Sequence, residues 1–276
     1  MLKTVKKLTS GKIYETFEDR RGLKKKAPIK SLSKILKNHA GRDDLGHVST
    51  RHQGGRSKRK FRQISTLDEF FPTDAEVMSI EYDPNRSANI ALVKLKNGKK
   101  RYIIAPDKLR TSDVVKSTDS SMLKNGDRAR LRNIPTGSSV HNIQMYPESK
   151  SSFAKAAGTY ATLMAIENKY ALLKLPSGEL RRVNEECFAS CGQVSNIEHG
   201  NIRIGKAGRS RRMGIRPSVR GKAMYPEAHP HGGGEGVNPI GLKYPKTPWG
   251  KNAMGKKTRR NRLTGKFIIK KGTKKR

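Results

Sequence analysis

The sequence predicts a mainly β protein in which two small barrels lie between long, basic, extended N- and C-terminal arms. Strand-length apolar runs broken by turn residues indicate the β structure, a hairpin pattern that occurs twice indicates two units, and the placement of charge indicates the arms. The 276 residues carry 60 Lys and Arg against 23 Asp and Glu, a net +37. Residues 1–62 hold 19 basic against 5 acidic side chains, residues 63–200 hold 19 against 16, and residues 201–276 hold 22 against 2. Like charges at this density keep the ends extended until a polyanion neutralises them, whereas the nearly neutral centre can fold alone.

In the N-terminal arm, 1–62, Ser31 to Asn38 is expected as a short helix. The arm ends on Arg51-His52-Gln53-Gly54-Gly55-Arg56-Ser57-Lys58-Arg59-Lys60-Phe61-Arg62, where cations flank a glycine pair. Glycine lets backbone approach phosphates closely, and guanidinium groups grip phosphate oxygens in pairs. That pattern favours nucleic acid over a solvated linker. Residues 63–126 form the first expected barrel, with strands at Ala75 to Tyr82, Asn89 to Leu95 and Lys99 to Ile104, the last two joined by an Asn97-Gly98 turn. Between them, Tyr82-Asp83-Pro84-Asn85-Arg86 reads as a turn from which Arg86 can project toward a ligand.

Residues 127–200 form the second expected barrel, with strands at Arg128 to Leu131, Thr159 to Ile166, Tyr170 to Leu175 and Glu179 to Val183. Its hairpin repeats the first at an offset of 80: Ala91, Leu92, Lys94, Leu95, Gly98 and Arg101 recur as Ala171, Leu172, Lys174, Leu175, Gly178 and Arg181. The repeat favours two similar β units over one sheet. Cys187 and Cys191 are too few for a secreted disulfide scaffold and are expected as packed thiols in a reducing compartment. With no signal-like apolar run and no stretch of about 18 apolar residues, a cytoplasmic chain without a membrane partner is expected.

The tail, 201–276, holds 13 of the 26 glycines and little apolar material for a core. Gly200, Gly205 and Lys206 have P-loop spacing, but Ala207 stands where a magnesium-binding hydroxyl is needed, and neither a preceding strand nor a following helix is expected. Mixed Gly and cations (Lys206, Arg209, Arg211, Arg212, Arg216, Arg220) suit a chain threaded between phosphate backbones. His229 and His231, with Glu235 nearby, invite a metal or general-base reading. Catalysis needs a preorganised site, and a coreless segment supplies none by itself. A free nucleic-acid organiser and a phosphoesterase using His229, His231 and Glu235 are the competing classes.

Several longer motifs decide between these classes. Arg51-His52-Gln53-Gly54-Gly55, Glu81 through Leu92, Arg101-Tyr102-Ile103-Ile104-Ala105-Pro106, Leu175-Pro176-Ser177-Gly178-Glu179, Ile204 through Arg209, His229-Pro230-His231-Gly232-Gly233-Gly234-Glu235-Gly236, Pro248-Trp249-Gly250 and Gly255-Lys256-Lys257-Thr258-Arg259 follow one another. In that order they resemble the universal large-subunit ribosomal protein L-two family in its bacterial form. The likeness runs from about residue 40 onward. It implies an oligonucleotide-binding-type barrel followed by an SH3-like barrel, with arms buried in large-subunit ribosomal RNA near the peptidyl-transferase centre.

The same resemblance implies support of subunit association, transfer RNA binding and peptide-bond formation, with the chemistry left to the RNA, so no enzyme activity is expected of the protein. His229 matches the family histidine associated with peptidyl transfer. RNA contacts are expected from Arg51, His52, Arg56, Lys58, Lys60, Arg62, Arg86, Lys206, Arg209, Arg211, Arg212, Arg216, Arg220, His229, His231, Lys256, Lys257 and Arg259. The expected partners are large-subunit ribosomal RNA, neighbouring ribosomal proteins and, indirectly, tRNA and the small subunit, around a chain that is monomeric within the ribosome. No cofactor is expected beyond Mg2+ bridging to RNA. The sequence departs from the family at Arg211-Arg212-Met213-Gly214, which lacks the usual tryptophan, at Val237 to Tyr244, and across the first 40 residues.

Overall fold

A computed structural model describes residues 2–4, 9, 14–25, 27–235, 237–261 and 263–272. The chain divides into two compact units: Met1–Lys37, Lys58–Lys206 and Lys266–Arg276 form the first, Asn38–Ser57 and Ala207–Gly265 the second. The segments read as arms are therefore shared between units. All strands among the described residues belong to the first.

Two antiparallel pairs precede the main sheet: β1 (Leu2–Thr4) with β2 (Thr16–Glu18), and β3 (Ser33–Ile35) with β4 (Lys60–Arg62). The first barrel region contributes β5 (Thr73–Glu81), β6 (Ile90–Leu95), β7 (Lys100–Ile104) and β8 (Val114–Ser117). The second contributes β9 (Arg128–Arg130), β10 (Ser139–His141), β11 (Ile143–Gln144), β12 (Ser151–Phe153), β13 (Ala161–Glu167), β14 (Tyr170–Lys174), β15 (Leu180–Asn184) and β16 (Phe188–Cys191). The chain returns as β17 (Ile268–Lys270), which pairs with β15 at the sheet edge. Phe267 fixes that return, its ring 6.3 Å from both Tyr146 and Tyr170.

Strand β6 is apolar on both faces because it serves two cores. Ala91, Val93 and Leu95 pack with Leu67, Ala75, Val77, Ile103 and Val115. Ile90 and Leu92 face the other way, onto Tyr102 and Leu32. Leu32 explains a correction: Ser31 to Asn38 is not a helix but a 3-10 turn at Lys30–Leu32 followed by β3. Covering Ile90 and Leu92 while pairing with β4 outweighs local helical preference.

A separate core, including Leu131, Ile143, Leu163, Leu173, Val183 and Cys187, fills the second region. The expectation of two units rather than one sheet is corrected in part. The cores are separate, yet eleven strands form one ladder, β17-β15-β14-β13-β10-β16-β9-β8-β5-β6-β7, continued by a parallel pairing of β8 and β9 at Ser117↔Arg128.

The repeat at offset 80 extends further in space than in sequence. Ala91 pairs with Ile103 and Ala171 with Val183, and the Leu95 and Leu175 amides donate to Lys99 and Glu179 carbonyls at 2.9 Å in both hairpins. Gly98 and Gly178 hold φ of 76° and 79°, where a side chain would be strained. A third strand joins each hairpin, and each carries a bulge at the same place, opposite Leu92/Val93 and Leu172/Leu173. The extra residues, Met78 and Met164, both face outward. Equivalent three-stranded meanders thus underlie both regions.

Arg128 joins those regions through its side chain as well. It is 1% exposed, and its Nε donates to Asp68 at 2.6 Å, Nη1 to the Asn142 carbonyl at 2.8 Å and Nη2 to Ser151 Oγ at 2.8 Å. Gln144 donates to the other Asp68 oxygen at 2.6 Å. Burial pulls the guanidinium pKa down while Asp68 opposes that shift. Truncating one partner leaves the other charge buried, so Arg128→Met should lower the free energy of unfolding by about 3–5 kcal/mol, and adding Asp68→Leu should recover much of the loss. Urea unfolding followed by circular dichroism checks both.

His141 is 1% exposed, and its Nδ1–H donates to the Gly192 carbonyl at 3.1 Å. Burial pushes its pKa from 6.5 down to about 4, partly opposed by the Gly192 hydrogen bond. The unfolded chain therefore binds the proton first, so this stability is complete above pH 6.5 and is lost as pH falls from 6.5 to about 4. The loss should reach about 3 kcal/mol and shrink in His141→Gln, as measured by urea titrations across that window.

Candidate nucleic-acid interface

The second unit gathers many of the expected RNA contacts on a framework of backbone bonds. The His52 carbonyl accepts from Arg216 N–H at 3.0 Å, Gly54 N–H donates to the Gly214 carbonyl at 2.8 Å, and Ser57 N–H donates to the Arg212 carbonyl at 3.0 Å. Residues 52–57 thereby run antiparallel beside residues 212–216, which sets Arg216 next to His52 and Gly54, and Arg56 next to Gly214, across about 160 positions of sequence. The glycines are needed for contact: a Cβ at Gly54 would meet Arg216 Cγ at 2.9 Å, and one at Gly214 would meet Arg56 Cβ at 3.3 Å. His52 Nδ1 lies 3.4 Å from the Pro217 carbonyl, to which it donates.

The helix α1 (Ala207–Met213) follows Lys206 and carries Arg209, Arg211 and Arg212, the last two exposed. Its presence corrects the expectation that no helix follows the P-loop-like glycines. No strand precedes them, a 3-10 turn at Ile197–Asn201 standing there instead, so the phosphate-loop architecture is still incomplete.

His229 is the one fully buried residue of this unit among the described residues, at 7% exposure. Its ring lies against Gly221, where an added Cβ would overlap it, with Nδ1 only 2.6 Å away. His231 N–H donates to His229 Nδ1 at 3.0 Å, and Lys246 N–H donates to His231 Nε2 at 2.8 Å. Each accepting nitrogen must offer its lone pair, leaving the proton of a neutral ring on the other nitrogen. The rings lie 4.8 Å apart at 56°. Gly236, at the end of this motif, lies outside the described residues.

Elsewhere in the unit Arg51 is exposed and sits 5.1 Å over the Trp249 ring, Arg220 is exposed, and so are Lys256, Lys257 and Arg259. Arg259 donates to the Asn261 carbonyl at 3.2 Å and to Thr264 at 2.6 Å. In the first unit Lys58, Lys60 and Lys206 are exposed. Arg62 and Arg86 are instead drawn to Asp83, which is fully buried: Arg86 Nε donates to it at 2.7 Å and Arg62 Nη1 lies at 3.5 Å. Asp83 also accepts from Asn85 N–H at 3.0 Å, so these residues shape the turn from within. The motif gave no sign of this, because a turn aspartate and a buried ion-pair aspartate look alike in sequence.

Cys187 is fully buried and Cys191 half-buried, and burial pushes both thiols up to about 12, which keeps them protonated and unreactive. Among the described residues, no three His, Cys, Asp or Glu side chains cluster as metal ligands, and no helix is long and apolar enough to cross a membrane.

With this geometry in hand, family comparison is specific. Residues 29–117 match the Ribosomal Proteins L2, RNA binding N-terminal domain, and residues 124–250 match the Ribosomal Proteins L2, C-terminal domain. The chain belongs to the ribosomal protein L2 family. As an L2 protein it is a structural constituent of the large ribosomal subunit, binds ribosomal RNA and serves translation. Its mainly β fold, an oligonucleotide-binding-type barrel followed by an SH3-like barrel, is that of L2. The L2 matches include Arg51 to Arg86 and Lys206 to His231 and stop short of Lys256, Lys257 and Arg259.

Exposed cations and Asp83 should separate cleanly. Lys58→Ala and Arg211→Ala should each flatten the dependence of log K for ribosomal RNA on log salt by about 0.7–0.9 where a phosphate contact is lost, with the melting temperature unchanged. Asp83→Ala should lower the melting temperature. Filter binding across a salt series and thermal melts test the pair.

Proposed function

We propose that this chain works near the peptidyl-transferase centre, where it supports subunit association, transfer RNA binding and peptide-bond formation while the RNA performs the chemistry. It acts in the cytoplasm as a single copy within the ribosome, among neighbouring ribosomal proteins. The exposed cations among those named above neutralise phosphates, with Mg2+ bridging where anionic oxygens crowd.

The observation that carries this reading is the bonding of His229. A general base needs an uncommitted lone pair within reach of the proton it takes. The Nδ1 lone pair of His229 already accepts His231 N–H at 3.0 Å, and the ring is buried against Gly221. The ring is thus suited to hold a bend of the chain against RNA. A unit with a single buried residue among those described has no apolar core to hold that bend alone.

Rapid single-turnover peptide-bond formation by ribosomes carrying His229→Gln tests the division of labour. Glutamine keeps a donor but cannot act as a base at neutral pH. Assembled ribosomes should show an unchanged pH dependence of the rate, with subunit assembly or association impaired. Loss of an ionisation from the pH–rate profile would assign the proton transfer to His229. Gly221→Ala, which displaces the same ring, should reproduce the assembly defect, and Arg220→Ala should do so while the melting of the β units stays as in the parent chain.

A further inference from the structure

Trp249 is the only tryptophan in the chain, and it is 74% exposed. An indole is usually buried or partnered, because it carries a large apolar face. Here the backbone presents it outward. Gly250 N–H donates to the Thr247 carbonyl at 2.9 Å and Thr247 N–H to the Lys251 carbonyl at 2.7 Å, closing a turn with Trp249 at its third position. Lys246 and Asn252 form a bridge at its base, and Ala253 N–H donates to the Pro245 carbonyl at 2.8 Å. Pro248 restricts the approach to the turn, and Gly250, at φ 74°, supplies the left-handed residue that completes it. The Lys246 amide is bound to His231, which ties the turn to the histidine pair. Exposure of Trp249 is therefore built into the turn.

The second observation comes from the other segment of the same unit. Arg51 places its guanidinium 5.1 Å from the centroid of the indole, a cation–π pair made by residues 198 positions apart. With the guanidinium over one face of an exposed indole, the opposite face is left for a base while the cation stays within reach of its phosphate, the two parts of one nucleotide. We propose that Trp249 and Arg51 form a stacking site for one unpaired purine base of RNA. Purines are favoured because their two-ring face covers more of an indole. The assignment rests on the RNA binding of the family and specifies how this unit contributes to it.

The single tryptophan makes the site directly measurable in the full chain. The probes are a short oligoadenylate and an abasic ribophosphate oligomer of equal charge, each end-labelled so that binding is read by anisotropy, while Trp249 emission is read separately with unlabelled probe. Both should bind through phosphates, the oligoadenylate more tightly by roughly tenfold, and only the oligoadenylate should quench the indole. Trp249→Leu should reduce oligoadenylate affinity to that of the abasic oligomer, Trp249→Phe should retain part of the difference, and Arg51→Ala should weaken both probes. Equal affinity for the two probes with unquenched emission would overturn the stacking site while leaving phosphate binding intact. Failure to bind either probe at low salt would overturn the site together with direct RNA binding by the free chain.

Discussion

A buried guanidinium is the interaction on which the arrangement of the β structure depends. Arg128 opens β9, the strand whose single parallel pairing with β8 carries the ladder from one region to the other. Its side chain then reaches Asp68 of the first region and the Asn142 carbonyl and Ser151 hydroxyl of the second. Backbone and side chain make the joint at the same residue. A buried charge of this kind tolerates little displacement, because any shift that breaks a bond leaves charge without solvent or partner. A small apolar seam of Ala88, Ile104 and Val194, beside a Pro106↔Val194 bridge, joins the same two regions, and the ionic contact adds the direction that apolar packing does not specify.

The second unit depends on a different physics. It has a buried imidazole, close glycine contacts and backbone bonds between residues 52–57 and 212–216, but among the described residues no apolar cluster like those of the first unit. Its cations repel one another, so the free chain is poorly supported there until phosphates are bound. Small residues serve this arrangement directly: Gly54 makes room for Arg216 and Gly221 for His229. A binding surface whose order is supplied jointly with its ligand suits RNA, which offers both the counter-charge and the walls.

The hairpins were readable in sequence because alternating burial and turn glycines act over a few neighbouring residues. Their extension into matching bulged meanders was not, since the bulges at Met78 and Met164 fall at different spacings from the repeat and show only in pairing register. Local reasoning failed at Ser31 to Asn38 because Leu32 answers to Ile90 and Leu92, far along the chain. It failed again at residues 207–213, where a helix with three Arg and one Gly in seven residues forms without an apolar stripe to announce it. Among the site residues, the exposed cations were legible from charge density, whereas the pull of Asp83 on Arg62 and Arg86 was not.

By itself the sequence determined the mainly β character, the placement of charge, the family and the histidine motif, because each is written in adjacent residues or in composition. Tertiary structure alone decided which cations turn inward, which nitrogen of His229 is occupied, that Arg51 meets Trp249 and that Arg128 meets Asp68. Those outcomes depend on desolvation and on hydrogen-bond distances between residues far apart in the chain, quantities that exist only once the backbone has brought them together.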